Sequence, residues 1–189
     1  MKEFSTLYFD KSGPDNTKST LQCVKTWAEK LNIDKIVVAT TRGITGVFAA
    51  EYLKSNNVIV VTHSTGFHSE NEQELTSENR SKIESSGGKI LTCQHAFGGP
   101  SRALRLKFNT TTVDDLIANT LRIFGQGMKV AVEITLMAAD AGLIDTTHDI
   151  IAIGGTGYGA DTAIVIKPAN VSRFFDLKIR NILCLPREH

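Results

Sequence analysis

The stretch Thr40-Thr41-Arg42-Gly43-Ile44-Thr45-Gly46 gathers three hydroxyls, a guanidinium and two glycines where a β-branched run gives way to helical periodicity. A helix that begins there offers unbonded backbone N–H groups and the positive end of its dipole. The hydroxyls and Arg42 add further donors, and the set suits an anion of the phosphate type. The same residues could serve only to cap the helix and shape the turn, but capping needs one of them and not all. The spacing of a lysine-bearing P-loop occurs nowhere in the chain, which disfavours nucleoside triphosphate hydrolysis.

Two histidines follow apolar runs in the same manner. His63 opens Thr62-His63-Ser64-Thr65-Gly66-Phe67-His68, and His95 lies in Gln94-His95-Ala96-Phe97-Gly98-Gly99. If the preceding runs are parallel strands, both imidazoles emerge at the edge that carries Thr40. There they could donate to a phosphate, act as acid and base, or hold a metal, or they could simply fix their loops by bonding to carbonyls. No third ligand at a characteristic spacing accompanies them, so no metal site is expected.

A third candidate is Gly154-Gly155-Thr156-Gly157-Tyr158-Gly159-Ala160-Asp161-Thr162. Glycines lack the Cβ that keeps a ligand off the main chain, so Gly155, Thr156 and Gly157 could press their amides against a ring or a phosphate. The stretch leads into a strand and not a helix, so it does not make a dinucleotide fingerprint, and a glycine-rich hairpin connection explains it nearly as well. Glu133 sits in a helix otherwise fit for burial. It must be paired, protonated or bonded, with a role in the site and a salt bridge to Lys129 or an arginine as the two readings. Asp140, later in that helix, is expected to face solvent or a loop near Gly142. Phe67, Phe97 and Tyr158 could supply walls for a planar ligand.

The elements that must position these residues can be read from periodicity. Leu7-Tyr8-Phe9 is a short strand, and Thr17 to Leu31 repeats its apolar residues at three and four, as an amphipathic helix does. Lys35 to Thr40 and Val58 to Thr62 are continuous β-branched runs of the kind that doubly covered parallel strands show, and Lys89 to Cys93 is a third. A helix follows Gly43, and another ends near Gly87-Gly88 after a polar loop from Ser69 to Arg80. Thr112, Asp114 and Asp115 cap a helix running to Phe124, and Gly127 to Ala141 is apolar all round and therefore buried. Asp149 to Ile153 is a strand. Thr162 to Ile166 follows too closely to be parallel to it, and is expected to pair antiparallel at an edge. The segment from Phe174 to Leu185 reads as strand or helix. Strands alternating with helices imply an α/β fold with a mainly parallel sheet and right-handed crossovers, in which ligands bind beyond the carboxyl ends of the strands.

The 189 residues suit one compact domain. Lysine and arginine total 21 against 20 aspartate and glutamate, which removes the broad attraction that would recruit nucleic acid or an anionic membrane. Three dispersed cysteines, with no metal or redox spacing, read as reduced thiols. No apolar run reaches membrane-spanning length and no cleavable leader is evident, so the cytoplasm is the expected location.

Six blocks in register carry a resemblance: Gly13 to Thr17, Ile36 to Thr45, Val61 to His63 with Thr65 to Phe67, His95 to Phe97, Val130 to Gly142, and Gly154 to Gly157 with Gly159 to Thr162. In order and over nearly the whole chain they resemble the stand-alone archaeal and bacterial proteins related to the pyruvate kinase C-terminal domain. The resemblance implies a three-layer α/β/α fold, with Ile36 to Thr45 as the part most similar to the lobe that takes up a sugar bisphosphate effector in some pyruvate kinases. It further implies a pocket for flavin mononucleotide (FMN), with phosphate on Thr40 to Thr45 and the remainder surrounded by His63, Gly66, Phe67, His95, Phe97, Glu133, Gly155, Thr156 and Gly157. This chain has Ser64 where the family usually has a second histidine, and Tyr158 where arginine is frequent. The catalytic residues of pyruvate kinase lie in another domain, so kinase activity is not implied. The expected ligand is thus a phosphorylated small molecule, FMN first. A regulatory module sensing a sugar phosphate is the rival, and a hydrolase or isomerase using His63, His95 and Glu133 ranks below both. Whether the chain forms a homo-oligomer stays open.

Overall fold

The structure, a computed structural model, describes residues 3–188. Its strands are β1 (Leu7–Lys11), β2 (Lys35–Ala39), β3 (Asn57–Val61), β4 (Lys89–Leu91), β5 (Ile150–Gly154), β6 (Thr162–Lys167) and β7 (Lys178–Glu188). Its helices are α1 (Thr17–Leu31), α2 (Ile44–Tyr52), α3 (Ser77–Ser85), α4 (Pro100–Phe108), α5 (Val113–Arg122) and α6 (Gln126–Asp140). The strands form one sheet in the order β1-β7-β6-β5-β2-β3-β4. Only β6 runs against its neighbours β5 and β7.

Alternation along the central strands assigns the two faces. Ile36, Val38, Val58, Val60, Ile151 and Ile153 join a core with residues of α1, α2 and α3. Val37, Ile59, Val61, Ile150 and Ala152 join a second core with α6, whose side chains are buried almost all round. The result is the α/β/α sandwich with a mainly parallel sheet that the alternation of strands and helices implies. Helix α1 stops at Asn32, whose left-handed backbone (φ 53°) turns the chain so that the Ile33 N–H reaches back to the Ala28 carbonyl at 2.9 Å.

Three elements depart from expectation. Strand β6 does pair antiparallel with β5, but it is internal, because the ambiguous carboxyl segment extends as β7 and covers its other side. The edges are β1 and β4 instead. Helix α4 has no apolar stripe deep enough to announce it. Its signals are Pro100 in the first turn after Gly99, and Asn109 in left-handed conformation at its end. Helix α3 begins at Ser77, within the stretch that reads as loop, because the Thr76 hydroxyl accepts the Asn79 N–H at 3.2 Å. Asp140 is exposed at the end of α6, as its place in the helix suggests. Its carboxylate accepts from the Asn170 side chain at 2.9 Å and the Val171 N–H at 3.1 Å, and so starts the short 3-10 segment Val171–Asp176.

At the head of α5 the hydroxyl of Thr112 accepts the Asp115 N–H at 3.4 Å, while the Asp115 carboxylate accepts the Thr112 N–H at 3.0 Å. This reciprocal cap also orients Asp115 toward its ion-pair partner Arg105 on α4. Thr112→Ala is expected to destabilise the protein by about 1 kcal/mol. Urea denaturation would show this as a lower midpoint at unchanged slope.

Candidate functional site

Parallel strands β2, β3, β4 and β5 end at one rim, and a cleft of about 1120 Å³ opens beyond it. Just past β2, the Thr40 hydroxyl accepts the Gly46 N–H at 3.3 Å and closes the first turn of α2. That leaves the leading N–H groups of the helix, those of Ile44 and Thr45, for an outside acceptor. Thr40, Thr41, Arg42, Ile44 and Thr45 all line the cleft. Gly43 does not. With φ 103°, it packs so closely on α3 that an added Cβ would lie 2.5 Å from that of Asn79, whose amide in turn donates to the Arg42 carbonyl at 2.9 Å. Its role is to aim the helix terminus.

The loops after β3 and β4 bring four rings and planes together. Phe67 stacks on His95 with centroids 4.8 Å apart and lies 4.1 Å from His63, and the Arg102 guanidinium covers it at 4.2 Å. Phe67 is half-buried by these groups and still lines the cleft, while Gly66 makes the turn before it at φ 80°. Nε2 of His95 accepts the Ser64 N–H at 3.3 Å, which places the proton of the neutral ring on Nδ1, 3.7 Å from a Glu133 carboxylate oxygen. Burial pushes the His63 pKa down, and only part of that is returned by the Glu74 carboxylate 2.6 Å from Nδ1.

Glu133, only 4 % exposed, accepts from the Phe97 N–H at 3.1 Å and pairs with Lys129 one turn earlier on α6. Burial alone would push its carboxyl up, but the bond from His95 and the charge of Lys129 outweigh it and hold the pKa at about 2. Glu133 thus forms the salt bridge with Lys129 and also lines the cleft. Lys129 has its pKa lowered by burial, with Arg122 and Arg102 adding repulsion against the attraction of Glu133.

The glycine-rich connection between β5 and β6 closes another side. Asp161 is fully buried, and its carboxylate accepts the N–H groups of Gly13 at 3.0 Å and Thr156 at 3.2 Å. This clamps the loop to the turn before α1. A Cβ on Gly155 would lie 2.3 Å from the Gly159 carbonyl oxygen, so the loop folds this tightly only with glycine there. Gly155 and Gly157 line the cleft; Thr156 does not, being turned into the clamp.

Of the cleft's cations, sequence reading placed only Arg42 in the site. Arg102 and Arg105 come from α4, Arg122 from α5 and Lys129 from α6, and with Arg42 they make five cationic side chains against the two carboxylates Asp115 and Glu133. The net charge of +1 for the whole chain conceals this local excess. The spacing of Arg102 and Arg105 on a proline-headed helix was the available signal. Such a field draws anions, and at the mouth the exposed rings of Phe48 and Tyr158 add apolar surface beside the α2 terminus. Glu133 accepts from the Phe97 N–H and is paired with Lys129, so it is no free base.

Solved structures with similar folds include pyruvate kinase from Cryptosporidium parvum at 13 % identity, covering 81 % of this chain and 22 % of that one with a TM-score of 0.40. The same enzyme in complex with ADP matches at 14 % identity, covering 86 % and 23 % with a TM-score of 0.38. O-ureido-L-serine synthase matches at 17 % identity, covering 64 % and 46 % with a TM-score of 0.31. The chain thus spans less than a quarter of the pyruvate kinases it resembles. The family described as pyruvate kinase, alpha/beta domain, matches residues 18–166, which hold β2 through β5, all but the last residue of β6 and nearly all of the cleft. On that match, which takes in most of its length, the chain belongs to the pyruvate kinase alpha/beta domain family.

Proposed function

We propose that the cleft binds a phosphorylated small molecule bearing a planar ring, with FMN as the leading ligand. The reading is carried by one observation: the open amino terminus of α2 faces a cleft in which cations outnumber carboxylates by three. Phosphate would take the N–H groups of Ile44 and Thr45 with help from Thr41 and Arg42. A volume near 1120 Å³ accommodates a mononucleotide, and Phe48 and Tyr158 offer apolar surface for its ring. The flavin would supply any redox chemistry, and the protein's part would be to position it and set the field around it. The free thiols of Cys23, Cys93 and Cys184 favour a reducing compartment, which agrees with a cytoplasmic location. No helix among the described residues is long and apolar enough to cross a membrane.

Titrating FMN with the protein is expected to quench the flavin's fluorescence at micromolar concentrations, and riboflavin, which lacks the phosphate, is expected to bind at least about tenfold more weakly. Unquenched FMN at those concentrations removes the flavin reading. A second reading, a sensor of sugar phosphates without catalysis, is favoured by the wall of guanidinium groups, which suits hydroxyls and phosphate more than a ring. It predicts a ligand-dependent change of assembly, visible by sedimentation, with no product formed.

A further inference from the structure

His63, His68 and Glu74 converge in a way that the anion-binding reading leaves unused. One ligand atom from each of the three lies within 4.8 Å of the other two. His63 Nδ1 stands 2.6 Å from one oxygen of Glu74, and His68 Nε2 stands 3.5 Å from the other. From this geometry we infer that the loop after β3 is a binding site for a single divalent first-row metal ion of the zinc class, held by two imidazoles and one carboxylate at the rim of the cleft.

The three donors are of the types zinc takes in open sites, two nitrogens and an oxygen, which leave a further coordination position free. The site is preformed. The Gln73 side chain donates to the His63 carbonyl at 3.1 Å and accepts the Leu75 N–H at 3.0 Å, so the backbone on either side of Glu74 is tied to that of His63. The Gly66 N–H donates to the Glu72 carbonyl at 2.9 Å and closes the neck of the loop, which carries His68 back toward Glu74. Among the described residues the ion-pair partners of Glu74 are these two imidazoles alone, so its charge meets no lysine or arginine. The side chain of His68 is 61 % exposed, which opens a path from solvent. Arg102 covers the Phe67 ring, which in turn packs on His63. The ion would need to part Nδ1 of His63 from Glu74 by less than 1 Å to reach ordinary ligand separations, roughly what bonds of about 2.0–2.1 Å to a tetrahedral ion require.

The test uses zinc alone on the full chain, stripped with chelator and dialysed, and does not depend on what the cleft holds. Calorimetry is expected to show one zinc per chain, and cobalt substitution is expected to give visible absorption bands characteristic of a low-symmetry site. His68→Ala alters an exposed side chain and should leave the fold intact, which far-UV circular dichroism would check. It is expected to weaken zinc binding by more than about 100-fold, because loss of even an outer partner of a metal ligand costs 10–100-fold. Glu74→Gln is expected to do the same. Zinc binding that is absent in the wild-type chain, or equally tight in both variants, overturns the inference.

Discussion

Ile44→Asp is expected to weaken binding of FMN, and of inorganic phosphate as a smaller probe, by about 100-fold while leaving the protein as stable as before or slightly more so. Ile44 is the first residue of α2, it is 59 % exposed, and it lines the cleft. A carboxylate there meets the positive end of the helix dipole, which contributes roughly 0.3–1 kcal/mol in favour of the folded state. The same carboxylate occupies the place where an anion would gather the free N–H groups. Two like charges about 5 Å apart at an effective dielectric near 20 repel by about 3 kcal/mol, which corresponds to the 100-fold loss. Affinity and stability thus move in opposite directions, which a generally damaging substitution would not produce. Fluorescence titration and thermal denaturation of one preparation check both, and unchanged affinity would place the ligand's anion elsewhere.

The second large effect concerns the buried pair on α6. Glu133→Ala is expected to destabilise the protein by about 3–5 kcal/mol, because it strands the Lys129 ammonium in a buried position and leaves the Phe97 N–H without its acceptor. Arg102 and Arg122 already oppose the charge on Lys129, so no neighbour takes over the role of Glu133. Replacing both partners, as in Glu133→Leu with Lys129→Met, is expected to recover most of the loss, since a well-packed apolar pair needs no compensation. A double variant as unstable as the single one would show that the pair is not what Glu133 supports.

The same residue sets a dependence on pH. Its carboxyl stands at about 2 in the folded chain against an ordinary 4.5, so the folded state prefers the ionised form. The stability this contributes is complete above pH 4.5 and is lost as the pH falls from there toward 2. A difference of this size corresponds to something on the order of 3 kcal/mol. Urea midpoints measured across that range should fall more steeply for the wild-type chain than for Glu133→Ala, and parallel curves would contradict the lowered value.

Much of this molecule is legible in residue order because its strongest signals are local. Helix α1 occupies the residues that its three-and-four spacing marks, and β2, β3 and β5 occupy their β-branched runs. The turn from Thr40 to Thr45 heads a helix at a strand's carboxyl end, as its glycine and hydroxyls suggest. A doubly covered strand, a helix with one wet face and a helix terminus each leave their mark in the residue types of a short stretch of chain, even where their partners lie far away in sequence.

What the linear order does not hold is how separate elements meet. That β6 is internal depends on β7, a strand whose pattern is ambiguous until it has β1 and β6 to pair with. The packing of Phe67 against His95 and Arg102 joins the loops after β3 and β4 to α4, and no spacing in the chain announces it. The cation excess arises because α4, α5 and α6 each turn one or two basic residues to the same space, though the composition of the whole chain is nearly neutral. Local backbone preference and apolar periodicity act through near neighbours and are written in the sequence. Charge density and ring stacking act through space, and only the packing of the sheet and its two helical layers brought those residues within range of one another.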